Sequence, residues 1–554
     1  WLLVRAGLFL LGRAISGVLA GMVPLVQGAS PYFVAGQSGF LYLWVPLVAI
    51  AASALFLAPG LLVALVTGPR AERFELWLLK GFVLSLFGVP ILAALVQAGS
   101  GIEMTGVPFV LLLLTLGVIG VAAAVRRGVA PDLKGRAWDV AAMIAIPFAV
   151  VVLMSPKFYW ENFNDDGAHA FLAARLFIER GLPFWPPGTS GVTGYPSTTM
   201  MSETFLQTTF VRFFGPHESA LRLAYLPGVA VLGATIMAFA RGPKEKTRGT
   251  VALGIGAQLL LFSFVMAFNP SYAAYFADIA LPMTREPLIA LGFLGGVLFF
   301  REGRLLWMGG VLTLGLLSAP NTLLLMLFFL GAYGLLTRPL PVLRVAAAGL
   351  LTIAIVVLAT LAMKGLVAAH VTQGSGEFGP EGILRRLRFV TLDDPRRMLF
   401  WLLPAGVLPG FALLAWRWQD KVSKALTLTA VIYILFFYVQ AYRVLPHHFA
   451  PAALLPLIVF WRLRPVRAAP LPAVLAALAG VALGAVASWP DTLRPSNHNR
   501  DLGQRVKIAV PIDPLRNPAS LNIFDGLMDQ AFPPAWTDED LRTRQALEPL
   551  AIYV

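Results

Sequence analysis

The sequence predicts an all-α polytopic membrane protein. Of its 554 residues, 58% are hydrophobic and only 13% are charged. Apolar stretches recur along the chain, and about 20 apolar residues are enough for a helix to cross a bilayer. The Lys and Arg residues are gathered in short junctions between these stretches. Together these observations predict about fifteen transmembrane helices, outer loops that carry amphipathic helices, and a small C-terminal tail outside the membrane.

The predicted spans follow one another from the first apolar run, Trp1 to Val26, which we interpret as a retained helix rather than a signal peptide. Their centres lie near residues 14, 54, 87, 116, 147, 230, 260, 293, 311, 329, 354, 407, 433, 454 and 480. Alternate junctions are rich in Lys and Arg, whereas residues 28–40 and 99–106 carry neither. Cytoplasmic loops accumulate basic residues. The N-terminus is therefore predicted to be cytoplasmic, and the outer segments to be 156–218, 269–286, 365–398, 442–448 and the tail 489–554.

Charge and cysteine content narrow the class further. The net charge of +14 would suggest nucleic-acid binding in a soluble protein. Here the basic residues lie between spans, so we interpret them as topology signals, with no nucleic acid as a partner. The chain has no cysteine, which excludes disulfides, cysteine-ligated zinc and a cysteine nucleophile.

The most informative polar feature is a pair of adjacent carboxylates in the first large outer segment. Asp165 and Asp166 follow the apolar run Val140 to Met154, and His169 comes three residues later. Adjacent carboxylates repel one another, and near hydrocarbon they need a cation, a proton or a hydrogen-bond donor. Two amphipathic segments follow, Ala168 to Arg180 and about Met200 to Phe214. The alternative is that the pair only caps the first of these helices.

Three motifs resemble the GT-C membrane glycosyltransferases, which include protein mannosyltransferases, arabinosyltransferases and the aminoarabinose transferase of lipid A. The first is the acidic pair with its helix, the following Gly-x-Pro and a Tyr-Pro. The second is the loop from Tyr275 to Pro282, which contains Asp278 and precedes Arg285 and Glu286. The third is an Arg-x-x-Pro junction, Arg443 to Pro446, followed by His447 and His448. The resemblance covers about residues 138–490.

The resemblance implies a division of the chain into three parts. Residues 1–137 are four additional N-terminal transmembrane helices, 138–488 are a GT-C-like core of about eleven spans, and 489–554 are the extracytoplasmic tail. It also implies a multi-pass protein of a bacterial plasma (inner) membrane that acts in glycosylation of the cell envelope. The expected partners are a polyprenyl-phosphate-linked sugar, an outer acceptor that is a glycan, lipid or protein, and membrane lipids. A protein partner could bind through residues 1–137 or 489–554.

The implied chemistry is sugar transfer with an outer-loop carboxylate as general base. We assign this role to Asp166 or Asp165, with Asp278 and Glu286 as partner acids, and with Arg285 and His169 as further charged groups of the site. If a divalent cation, Mg or Mn, takes part, Asp165, Asp166 and Asp278 are its candidate ligands. The alternative for Asp278 is a helix cap, and for Arg285 with Glu286 an interfacial ion pair.

The donor phosphate needs fixed positive charge. Arg443 is the first candidate, assisted by His447 and His448, while Arg386 and Arg388 belong to a cluster that would draw in anionic lipid. The alternatives are generic contacts with lipid headgroups. Two other function classes stay open. One is a catalytically silent membrane scaffold with the same fold, and the other is a lipid or solute transporter, which would hold its ionisable residues at the midplane.

Overall fold

The computed structural model describes residues 41–69, 72–131, 201–214, 223–241, 286–337, 341–366 and 408–440, with isolated positions between 133 and 147, at 339, and between 451 and 462. No strand occurs within these ranges. The continuous helices, numbered here in chain order, are α1 (Leu41–Thr67), α2 (Phe74–Ser100), α3 (Val107–Arg127), α4 (Met201–Phe214), α5 (Leu226–Arg241), α6 (Glu286–Arg301), α7 (Leu305–Leu316), α8 (Asn321–Leu336), α9 (Val342–Leu366), α10 (Leu408–Leu414) and α11 (Lys421–Gln440).

Three of these helices are long and apolar enough to cross a membrane: α1 through Leu47–Thr67, α2 and α3. Shorter apolar helices follow in α5, α7, α8 and α9. The predicted class, a helical membrane protein, is confirmed for the described part of the chain. The count of about fifteen spans, the eleven-span core and the tail remain predictions.

Most predicted span centres that fall on described residues lie within helices. Nine centres fall in the continuous helices. Those near 54, 87 and 116 lie in α1, α2 and α3, and the one near 230 lies in α5. Those near 293, 311, 329, 354 and 433 lie in α6, α7, α8, α9 and α11. Long apolar runs are the strongest signal in such a sequence, because a segment in lipid must satisfy its backbone groups internally and therefore becomes helical. The centres near 14, 260, 407 and 480 lie outside the described residues.

One end of the helix bundle, the basic end, gathers junctions that are distant in sequence. Arg73, before α2, donates from Nη1 to Glu302 Oε1 at 2.8 Å after α6. Arg136, which follows α3, donates from Nη1 to Glu75 Oε1 at 3.0 Å. Beside them Glu72 binds Lys80 and Arg304. These junctions were predicted to share one membrane face, and they do lie together.

A second group of contacts extends the basic end to α5 and α11. Arg462 donates to the carbonyl of Phe239 near the end of α5, at 2.8 Å, and to Ser423 Oγ at 3.0 Å in α11. It also pairs with Asp420. Burial alone would raise the pKa of the Asp420 carboxyl, but Arg462 and Ser423 together hold that pKa below its usual value. The basic end therefore gathers the ends of α5 and α6 and the starts of α2, α7 and α11, together with Arg136 and Arg462.

The opposite end includes residues 101–106, between α2 and α3, whereas residues 317–320, between α7 and α8, turn back at a shallower level because α7 has only 12 residues. Gly101 closes α2 in the left-handed conformation, at φ 69°, and donates its N–H to Gln97 O. Glycine adopts this conformation without steric cost. Neither segment contains Lys or Arg, so the charge asymmetry predicted from the sequence corresponds to the basic end on one side and these turns on the other.

Helices from residues 41–127 pack directly on later helices. α2 contacts α4, α5, α6 and α7, and α1 contacts α5. Close approaches occur at small residues: a Cβ on Gly292 of α6 would lie 2.7 Å from Gly315 Cα in α7. Small residues let membrane helices approach closely. In the described part of the chain, the segment predicted as an N-terminal addition is thus continuous with the core packing of the later helices.

Candidate functional site

The structure describes one of the predicted site residues, Glu286. The others lie outside the described residues: Asp165, Asp166, His169, Asp278, Arg285, Arg386, Arg388, Arg443, His447 and His448. Their roles stay predictions. The site is therefore built from Glu286 and from the described helix that ends the first large outer segment, α4.

Glu286 is the first residue of α6, and only 5% of it is exposed. A carboxylate in the first turn is stabilised by the partial positive charge of the helix N-terminus. From Arg301, at the basic end, 15 residues of helix correspond to about 22 Å. That is less than the thickness of the hydrocarbon core, about 30 Å. Glu286 therefore lies buried in the half of the bundle nearer the opposite end.

Helix α4 confirms the second amphipathic segment predicted in the outer loop, but its surroundings differ from the expectation. Every residue from Ser202 to Phe214 is buried, including Glu203, Gln207 and Arg212. The polar face does not meet solvent, because α4 packs into the bundle against α1, α2 and α3. Its polar groups bind inside the protein, as where Gln207 Nε2 donates to the Tyr225 hydroxyl at 3.3 Å.

The beginning of α4 is anchored at the end of α7. The Ser202 N–H donates to Leu317 O at 3.3 Å, and the Ser202 hydroxyl donates to Leu314 O at 2.8 Å. Leu314 is nine residues from the start of α7 at the basic end, which is about 14 Å of helix. Helix α4 therefore begins within the depth of the hydrocarbon core. From there it rises along α2, with Phe205 packed edge-on against Phe87 at 5.6 Å.

The other end of α4 places a charged side chain in the protein interior. Arg212 is fully buried, and its Nη1 donates to Gln97 Oε1 at 2.9 Å and to Met104 O at 2.7 Å. Burial lowers the pKa of the Arg212 guanidinium to about 10, and the nearby Glu103 carboxylate partly opposes this shift. With that pKa, Arg212 is cationic at pH 7.

The hydrogen bonds of Arg212 use only the Nη1 atom of its guanidinium. Nε and Nη2 have no hydrogen-bond partner in the structure. Glu103 makes no ion pair with Arg212; its Oε1 accepts from Thr105 Oγ1 at 3.4 Å instead. A buried cation with unsatisfied N–H groups is costly. Among the described residues, Arg344 leaves the same two nitrogens without a partner but is only partly buried, so Arg212 is the fully buried cation with unused capacity to bind a ligand.

Sequence reasoning missed the buried polar groups Glu203, Gln207 and Arg212. A signal for them was present. In α4, the apolar residues occupy more than half of the circumference: Phe205, Leu206, Phe210, Val211, Phe213 and Phe214. A helix with so wide an apolar surface is expected to be buried rather than to lie at an interface. Its polar residues, which are half of the helix, are then expected to face protein.

Neither the arrangement of possible metal ligands nor comparison with known proteins assigns a function to the described residues. Within the described ranges, no group of three or more His, Asp or Glu side chains is arranged to hold a metal ion. The acids proposed as ligands for a divalent cation are outside those ranges. Comparison with known proteins finds no matching family model, no matching curated protein and no matching solved structure.

Proposed function

We propose that the protein is a membrane glycosyltransferase that moves a sugar from a polyprenyl-phosphate donor to an acceptor at the opposite end of the bundle. Two kinds of observation support the proposal. One is the resemblance of the three outer-segment motifs to GT-C enzymes. The other is the described course of the helices that follow the first two of those motifs, and this second observation carries the proposal.

Helix α4 follows the loop with Asp165 and Asp166, and α6 follows the loop with Asp278. Both helices contact the same end of α7. Ser202 of α4 binds Leu314, and Gly292 of α6 packs on Gly315. Two segments separated by more than 70 residues thus meet the same end of one helix, α7. This arrangement is what a shared acidic site needs, since the two loops would then open at one place.

In the proposed reaction Asp166 accepts the proton of the acceptor group as that group attacks the anomeric carbon. The new glycosidic bond forms while the bond from the anomeric carbon to the phosphate oxygen breaks. The leaving group is polyprenyl phosphate, which takes the bonding electron pair as an anion. Arg443, with His447 and His448, would stabilise this charge. Asp278 and Glu286 would tune the base, and Mg or Mn, if bound, would screen the phosphate.

The Asp166→Asn variant tests the proposal. We expect sugar transfer in vesicles from polyprenyl-phosphate donors to fall by about a hundredfold or more, because an amide cannot accept the proton. The measurement is radiolabelled sugar in the acceptor fraction, with protein yield monitored in parallel. Glu302→Gln at the basic end is the matched control and should leave transfer unchanged, since its side chain lies in a partly exposed ion pair. Equal transfer by Asp166→Asn and the wild type would overturn the assignment.

A transporter is the second candidate, and one observation favours it. Glu203 and Glu286 are 2% and 5% exposed at the starts of short helices within the bundle. Transporters hold ionisable groups at such broken-helix positions. The same vesicles separate the two functions, because movement of labelled donor lipid across the bilayer without transfer supports transport. A wild-type protein that does neither supports the silent scaffold.

A further inference from the structure

We propose that Arg212 is a receptor for a phosphate oxyanion, bound side-on to its Nε and Nη2 atoms at the headgroup level of the opposite end. The proposal concerns a residue outside the predicted catalytic set, and it does not depend on sugar transfer. It is based on three properties of Arg212: the geometry of the unused guanidinium edge, the way the guanidinium is held, and its depth in the membrane.

The geometry of the unused atoms matches an oxyanion. In a guanidinium, the Nε–H bond and one Nη2–H bond point in parallel along one edge. These are the two nitrogens of Arg212 without a partner in the structure. Two parallel donors fit two oxygens of one phosphate or carboxylate, and such charge-assisted pairs are the stronger class of hydrogen bond. The edge thus has the donor geometry of a bidentate anion site, and because both nitrogens are enclosed, a phosphate reaches them only when neighbouring side chains move.

The remaining nitrogen fixes the orientation of that edge. Nη1 donates to Gln97 Oε1 at 2.9 Å and to Met104 O at 2.7 Å. These acceptors come from the end of α2 and from the following loop, so they hold the planar group against rotation. A neighbouring backbone bond, from Gly106 N–H to Arg212 O at 2.7 Å, fixes the end of α4 as well. The donors are therefore oriented before any anion arrives.

The depth of Arg212 points to phosphate carried by a lipid. Gln97 is 23 residues from Phe74, the first residue of α2 at the basic end, which corresponds to about 34 Å of helix. The hydrocarbon core is about 30 Å thick, so Gln97 and Arg212 lie just beyond it, at the level of lipid phosphates. Glu103 acts on Arg212 only through its charge and makes no hydrogen bond to it, so the Nε and Nη2 edge is not occupied by a carboxylate of this loop.

Arg212→Lys is the decisive variant. Lysine keeps the charge but has no bidentate edge. The probe is phosphatidylglycerol, added to the purified full-length protein in detergent, with diacylglycerol, which lacks phosphate, as the reference lipid. Retained lipid is measured by native mass spectrometry, and thermal stabilisation by intrinsic fluorescence. We expect the wild type to bind phosphatidylglycerol about tenfold more tightly than Arg212→Lys.

Two controls and one further probe complete the test. Arg126→Lys changes an exposed arginine at the far end of α3 and should bind lipid as the wild type does. Glu103→Gln should bind at least as tightly as the wild type, because a nearby negative charge is removed.

Inorganic phosphate tests whether the bound phosphate oxyanion comes from a free ion instead of a lipid headgroup. Arg212-dependent binding of inorganic phosphate alone supports the receptor with free phosphate as its ligand. Binding of both probes that is equal in Arg212→Lys and the wild type would overturn the proposal, as would loss of binding in Arg126→Lys to the same extent.

Discussion

Replacing Glu72 with glutamine is expected to lower the free energy of unfolding by about 3 kcal/mol, because it leaves a buried cation without its countercharge. The side chains of Glu72 and Lys80 are 6% and 4% exposed, and Glu72 Oε1 accepts from Lys80 Nζ at 2.5 Å. Arg304 binds the same oxygen from the start of α7. The substitution preserves the shape of the side chain and removes only its charge.

The ammonium group of Lys80 is costly to leave unpaired because of where it lies. Lys80 is six residues into α2, about 9 Å along a helix that crosses the membrane. Its side chain returns toward Glu72 at the basic end, and its Nζ lies 4.9 Å from the centre of the Trp307 ring. A cation held near hydrocarbon depends on such partners. The second substitution Lys80→Met should therefore recover part of the stability that Glu72→Gln loses.

The measurement is unfolding of the purified protein in mixed micelles by added ionic detergent, followed by tryptophan fluorescence. Glu302→Gln is the matched control, since the Arg73–Glu302 pair has side chains 42% and 34% exposed. Exposed pairs contribute about 1 kcal/mol or less. Equal losses for Glu72→Gln and Glu302→Gln would contradict the argument from burial.

The division between basic and opposite ends was predictable from sequence because it follows from charge counting alone. Junctions such as those at Arg73, Arg136 and Arg304 are rich in Lys and Arg, whereas residues 99–106 have neither. The partners of these residues were not predictable. Glu72 and Arg304 are 232 positions apart, and their pairing arises from the order in which helices pack. Helix periodicity carries no information about that order.

Helix α4 shows a different limit of prediction from sequence. Its bounds were predicted within one residue, since a run of apolar residues with helical spacing is a strong local signal. Its environment was misread, because an amphipathic pattern is the same for a helix on a membrane surface and for one whose polar side faces buried polar groups. The width of its apolar surface was the one local sign of burial, and the contacts of Ser202 and Arg212, with residues more than 100 positions away, show what its polar groups meet.

The second large effect is expected at Gly60, where α1 and α2 make their closest approach. A Cβ at this position would lie 2.1 Å from the carbonyl oxygen of Gly81 and 2.5 Å from Ser85 Oγ. The Gly60 N–H also donates to Ser85 Oγ at 3.1 Å, and the Ser85 hydroxyl donates to Leu57 O at 3.2 Å. The two helix backbones are thus in contact through small residues.

Gly60→Ala is expected to destabilise the protein by about 2 to 3 kcal/mol, because the obstructing oxygen belongs to the backbone and the helices must move apart. The matched control is Gly88→Ala in α2, where a Cβ would meet nothing within 4 Å. Alanine is the better helix former by about 1 kcal/mol, so the control should be neutral or stabilising. The same preference favours Gly60→Ala, and a loss at that site would therefore report the collision between α1 and α2. If both variants unfold at the same detergent concentration, α1 and α2 are not held at the distance that the structure gives.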